Sequence, residues 1–248
     1  LGERGGREIG GGQIGHTLGL TNNFGASSAI PVDSLRSPSY TQNFGITPSI
    51  MDEARYNFVA QPEDMERGVQ MTPNDLGVYD YYAISWLYKS IPTAETPEDE
   101  IPILEEWIAN KIDDPKYRYR KQQVRGIFDP QIQANDLGDN QIKATKYALD
   151  NLRYVMNNMN DWLEGEDEDY RFRTKMNFSI INIDFFWYIR QVYNNVGGVY
   201  QYQKFEGDPY PAYEVVPKEV QQKSVAFILE TLTDLQWLDN AALEDNMN

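Results

Sequence analysis

The amino-acid sequence predicts a mainly α protein with long helices and one small β-hairpin. Three observations carry this. Apolar residues recur at helical spacing through residues 141–163 and again through 170–195. Helix-start chemistry stands at Thr96-Pro97-Glu98-Asp99, where a capping hydroxyl precedes a proline and two acids. Strand-like alternation is confined to 199–203 and 212–216, on either side of Gly207-Asp208-Pro209.

Composition bounds what such a chain can do. With 248 residues, 41% hydrophobic and 13% aromatic, it can bury a sizeable core as one large domain or two small ones. Its 22 basic and 38 acidic residues give a formal charge of -16, which argues against nucleic acid and against an anionic membrane surface as partners. There is no cysteine, so disulfides and thiolate metal sites are excluded, and the single histidine limits metal chemistry further. No apolar run approaches the roughly 18 residues of a membrane span. The chain opens on Leu1 with no basic-then-apolar leader, so processing or a longer parent is expected, with any export signal lying outside it.

Taken in order, residues 1–12 hold six glycines, whose conformational entropy predicts a loose arm. Residues 13–20 offer Ile14, Leu18 and Leu20 as apolar contacts and Gly19 as a stop, the pattern of a short core helix in which His16 is a buried imidazole. Residues 22–47, rich in Asn, Ser, Pro and Gly, are expected to form a long irregular loop. A helix over 79–88 follows, with Asp80 in its first turn, Tyr82, Ile84, Trp86 and Leu87 as apolar bulk and Pro92 beyond its end. The helix that starts at Thr96 runs to about 112 and buries Ile103, Leu104, Trp107 and Ile108.

Residues 116–124 alternate aromatic and basic side chains as Y-R-Y-R-K, a pattern that can stack on nucleic acid. The net charge opposes that reading and favours a helix whose arginines pair with carboxylates. In or beside the loop at 126–138 stand Asp129, Asp136, Asp139 and Asn140. Asp136 and Asp139 are the candidate ligands for a hard cation such as calcium, and Asp139 serves equally as a helix cap. The amphipathic helix over 141–163 ends at an acidic break, 164–169, expected in solvent. The next helix, 170–195, is expected to be central, with Phe178, Ile181, Phe185, Trp187, Tyr188 and Val192 as packing rather than a ligand box. Gly197-Gly198 stops it, the hairpin follows, and Pro217 opens a helix holding Val220, Val225, Ile228, Leu229 and Leu232.

The stretch with chemical content is Gly11 to Phe24, G-G-Q-I-G-H-T-L-G-L-T-N-N-F. It is similar to the zinc signature H-E-x-x-H-x-x-G-x-x-H, of which it keeps His16 and Gly19. Further segments follow in order: N-N-F-G-A-S from Asn22, P-V-D-S-L-R-S-P from Pro31, T-P-S-I-M-D-x-A-R-x-N-x-V-A-Q-P-x-D from Thr47, and T-P-x-x-L-G-V-Y-D-Y-Y-A-I-x-W from Thr72. Together they resemble the metzincin domain of large secreted or surface-exposed Bacteroidetes proteins, and the similarity runs over nearly the whole chain.

The resemblance implies the C-terminal part of a metzincin-like (zincin) fold, with Met51 in the methionine turn beneath a zinc. It also implies a remnant of the active-site helix, loop and turn over 13–90 and a helical subdomain over 91–248, with 13–248 as one compact unit. The family motif supplies three histidines, a glutamate base and, in several branches, a tyrosine two residues after the turn methionine. Here Gly12 and Asn22 stand at two ligand positions, Gln13 at the base and Glu53 at the tyrosine, leaving His16 as the one retained ligand. A catalytic zinc needs three protein ligands and an open position for water.

The expected reading is therefore a catalytically silent domain with no cofactor, playing a structural or binding role beside an unidentified protein partner or upstream domain in an exported assembly. A zinc peptidase with a rearranged ligand set, drawing on Asp52 or Glu53, is the alternative. A surface protein- or carbohydrate-binding module using the tyrosines of 200–213 is a third reading.

Overall fold

Gly19 ends the first helix through its backbone. It adopts φ +87°, its N–H donates to the His16 carbonyl, and the Leu20 N–H reaches back to Gly15. These paired bonds form a Schellman cap. The helix they close covers 11–17 (α1). A computed structural model of the chain describes residues 11–240 and 243, except 74, 112, 122, 124, 125, 127, 205–208 and 210. Residues 1–10 of the expected arm, the expected helix end at 112 and Gly207-Asp208 of the expected turn lie outside the described residues.

Two compact units make up the chain: Leu1–Ile127 with Gln131–Asn140 and Gln201–Ala212, and Phe128–Pro130 with Gln141–Tyr200 and Tyr213–Asn248. The stretch 91–248 is shared between them. Among the described residues no helix is long and apolar enough to cross a membrane.

In the first unit, the segment expected to be an irregular loop is partly helical. Short 3-10 turns at Ser27–Ala29 and Val32–Arg36 lead into helix α2, Pro38–Phe44. The Ser37 hydroxyl caps α2 by accepting the Tyr40 N–H at 3.3 Å, and Pro38 takes the first helical position, where a missing N–H costs nothing. Helix α3, Pro62–Glu66, follows. Its Asp64 is buried and accepts from the Gln61 N–H at 2.9 Å, Arg36 Nε at 2.5 Å and Arg67. Burial raises this carboxyl's pKa, and the two guanidinium groups and the N–H more than reverse that, holding it below the ordinary carboxylate range.

Helix α4, Val78–Tyr88, and helix α5, Pro97–Ala109, lie where the sequence predicts them. Thr96 N–H and hydroxyl both bond Asp99. Ile103, Leu104, Trp107 and Ile108 of α5 are half-buried, not core, and Ile101 of α5 and Leu87 of α4 are exposed. The helix expected over 116–124 is absent among the described residues there. A 3-10 turn at Pro115–Tyr117 gives way to extended chain. The reason is Arg120, which is buried: its N–H donates to Asn23 Oδ1, its guanidinium to Gln131 Oε1 and the Gln201 carbonyl, and it lies over the Tyr202 ring.

The second unit is built from α6, Gln141–Trp162, then α7, Arg171–Ser179, α8, Phe185–Tyr193, and α9, Lys218–Thr233. Between α7 and α8 the run predicted as one helix contains a π turn, Ile180–Asp184. The wider turn sets buried Ile180 and Phe185 five residues apart and lets both reach core clusters, with Met156 and Met159 and with Leu149 and Ile189. Phe178 and Trp187 are exposed instead. The acidic break is only partly solvated, because Asp167 is buried and caps α7 by accepting the Phe172 and Arg173 N–H groups at 2.9 Å. On α9 the buried stripe runs through Ser224, Phe227, Ile228 and Thr231, leaving Val225, Leu229 and Leu232 exposed.

The predicted hairpin is present as β1, Val199–Gln201, paired with β2, Tyr213–Val215.

Candidate metal centre and its supporting turn

The methionine turn is built by one buried carboxylate. Asp80, in the first turn of α4, accepts the Ser49 hydroxyl at 2.7 Å on one oxygen, and the Ile50 N–H at 2.8 Å and the Gly77 N–H at 2.7 Å on the other. It thus caps its own helix and clamps the turn in the same stroke. The Tyr79 N–H donates to the Pro48 carbonyl at 3.0 Å. Gly77 is obligatory: a Cβ there would lie 1.8 Å from that carbonyl oxygen. Within the turn, the Ser49 hydroxyl accepts the Met51 N–H at 3.1 Å.

Asp52 continues the turn inward. It is buried, with one oxygen accepting the Ser27 N–H at 2.7 Å and the Thr47 hydroxyl at 3.1 Å. Burial pushes its pKa up to about 7, against the opposing hydrogen bonds from Ser27 and Thr47.

Helix α1 is seated directly on this turn. A Cβ at Gly15 would meet Met51 Sδ at 2.4 Å, and one at Gly11 would meet the Ile50 side chain at 2.3 Å. Glycines therefore let the helix backbone descend onto the methionine. Past the Schellman cap, the Asn23 N–H donates to the Met51 carbonyl at 2.9 Å, and Leu20, Met51 and Ala83 pack as one buried cluster. Asn23 is itself fully buried, bonding the Arg118 carbonyl and the Arg120 N–H with its side-chain amide.

The donor set above the turn is sparse. His16 is exposed, not the buried imidazole expected, because the apolar contact with Met51 is made one residue earlier, at Gly15. Its Nδ1 lies 3.0 Å from the Leu20 carbonyl. A carbonyl can only accept, so Nδ1 is the donor, which leaves Nε2 as the nitrogen through which this histidine could ligate a metal. Gly12 and Asn22 are half-buried and Gln13 is exposed. Glycine brings no donor, and the neutral amides of Gln13 and Asn22 are poor ligands for a borderline-soft metal. These residues do not fit a three-ligand zinc centre.

The carboxylates offer no substitute. Asp52 is turned into the core, and Glu53 is half-buried with its carboxylate 4.0 Å from Arg55. Among the described residues no group of three or more His, Cys, Asp or Glu side chains could hold a metal. Of the carboxylates near the 126–138 loop, Asp129 belongs to the second unit and Asp136 and Asp139 to the first. Asp136 is buried, and Asp139 is exposed and accepts the Val32 N–H at 3.1 Å. Gly15, Gly77 and Asp80 were not singled out as site residues from the sequence; the spacing Gly77-x-x-Asp80 at a helix start is the one signal that points to them.

A Schellman-capped helix resting on a buried methionine turn, with a histidine on its outer face, defines a metzincin-like domain. A family model described as Met-zincin matches residues 8–247. The chain belongs to the Met-zincin family. No curated protein and no solved structure matches it.

Proposed function

We propose that this chain is a catalytically silent metzincin-like domain with a structural or binding role in an exported assembly. One observation carries the reading: the scaffold that would sit under a zinc is retained down to Gly15, Met51 and Asp80, while the donors above it are Gly12, Gln13, His16 and Asn22. Gln13 has the length of the family's base but cannot take a proton from water at neutral pH. A full ligand set contributes about 10–16 kcal/mol of apparent zinc binding in small structural sites. Two of three ligands lost removes most of that. The exported setting and the protein partner rest on the family resemblance.

The test is metal content. Purified protein equilibrated with zinc and then desalted is expected to carry far less than one equivalent. Near-stoichiometric zinc that disappears in His16→Ala would overturn the proposal. The competing reading, a zinc peptidase with a rearranged ligand set, draws on His16 Nε2, and it requires chelator-sensitive cleavage of a peptide by the same preparation.

A further inference from the structure

In the first unit, the C-terminal ends of α4 and α5 border one hollow of about 270 Å³, lined by Tyr82, Ser85, Lys89, Trp107, Asn110 and Lys111. Its two cations are positioned by aromatic rings: Lys89 Nζ lies 5.5 Å from the centroid of Trp107 and Lys111 Nζ 4.4 Å from that of Tyr117. Neither ammonium is ion-paired with a carboxylate among the described residues. In a chain with 38 acidic and 22 basic residues, pairing partners are plentiful. Lysines at helix C-termini complement the helix dipole, which accounts for each one's place at an end. It does not account for both facing the same hollow.

The rest of the lining narrows the chemistry. Ser85 and Asn110 add a hydroxyl and an amide, the Ser85 hydroxyl donating to the Tyr81 carbonyl and so left as an acceptor, and Tyr82 and Trp107 add ring surface. An occupant that uses all of this carries a negative charge, several hydroxyl donors and an apolar face. The volume lies just under the range of about 300–1,000 Å³ that holds drug-sized ligands, so it suits one ring, not a chain of them. A bare inorganic anion would leave the rings unused, and a neutral sugar would leave the two charges unanswered.

We propose that this hollow binds a single acidic sugar unit, its carboxylate between Lys89 and Lys111 and its hydroxyls on Ser85 and Asn110. The assignment is independent of the metal centre. Calorimetric titration of the full chain with D-glucuronate, and separately with D-glucose, benzoate and inorganic phosphate, tests it. Glucuronate is expected to bind one to one and more tightly than the other three. Lys89→Gln and Lys111→Gln are each expected to weaken it about tenfold or more, the worth of a charge-assisted hydrogen bond. Lys223→Gln, which alters a lysine paired with Glu219 in the second unit, should leave binding unchanged. Absence of glucuronate binding, equal binding by glucose, phosphate or benzoate, or unchanged affinity in both hollow variants would overturn the assignment. Both hollow lysines are exposed, so the glutamine variants are expected to fold, and matching thermal melts verify it.

Discussion

Asp52 shows how one buried carboxyl couples the methionine turn to pH. Its folded-state pKa is pushed up to about 7 by burial, above the value of roughly 3.9 for an unfolded aspartate. Below the unfolded value both states are neutral and the group costs nothing. As pH rises between the two values the unfolded state ionises first, so stability falls through that window and stays reduced above about pH 7. Asp52→Asn removes the titration while an amide oxygen can still accept from Ser27 and Thr47. The variant is expected to be more stable than the parent at pH 8, by on the order of 4 kcal/mol, with the gain vanishing near pH 4. Urea denaturation at the two pH values checks this; an equal difference at both would show that Asp52 does not titrate in that window.

At the scale of elements, two helices meet the turn through glycines that differ in what they touch. Gly77 faces the Pro48 carbonyl, a backbone group held in place by the Tyr79 N–H and by Asp80 on the neighbouring residues. Gly15 faces the thioether of Met51, which has rotatable bonds to give way. Gly77→Ala is therefore expected to cost about 4 kcal/mol or more and Gly15→Ala about 1–3 kcal/mol. Urea midpoints of the two variants decide the order, and an equal or reversed order would contradict it.

The same scale separates what was legible from what was not. Helices α4, α5 and α9 carry their start signals within a few residues, so Thr96-Pro97 or Pro217 can be read directly. Arg120 cannot be read this way, because the groups that hold it extended come from Asn23, Gln131 and Gln201. The π turn in 180–184 adds one residue to a helical repeat and blurs the periodicity that would place Phe178 and Phe185 on faces.

For the molecule as a whole, the scaffold and the reagents of a zinc site are separable. Gly12 points to open room, since a Cβ there meets only the Ile50 carbonyl at 3.8 Å, an ordinary contact. The combined variant Gly12→His, Gln13→Glu, Asn22→His is therefore expected to fold and to bind close to one zinc per chain where the parent does not, read by metal analysis after desalting. Failure of the folded variant to take up zinc would mean that the helix and turn are no longer set at the family's spacing.

By itself the sequence determined the helical class, the hairpin, the family and the missing ligands, because these depend on residue identity and spacing along the chain. Only the tertiary structure decided that Gly15 seats α1 on Met51 and that Asp80 clamps the turn. Those depend on which groups meet across 30 or more residues, as Ser49 meets Asp80, and no local pattern encodes such a meeting.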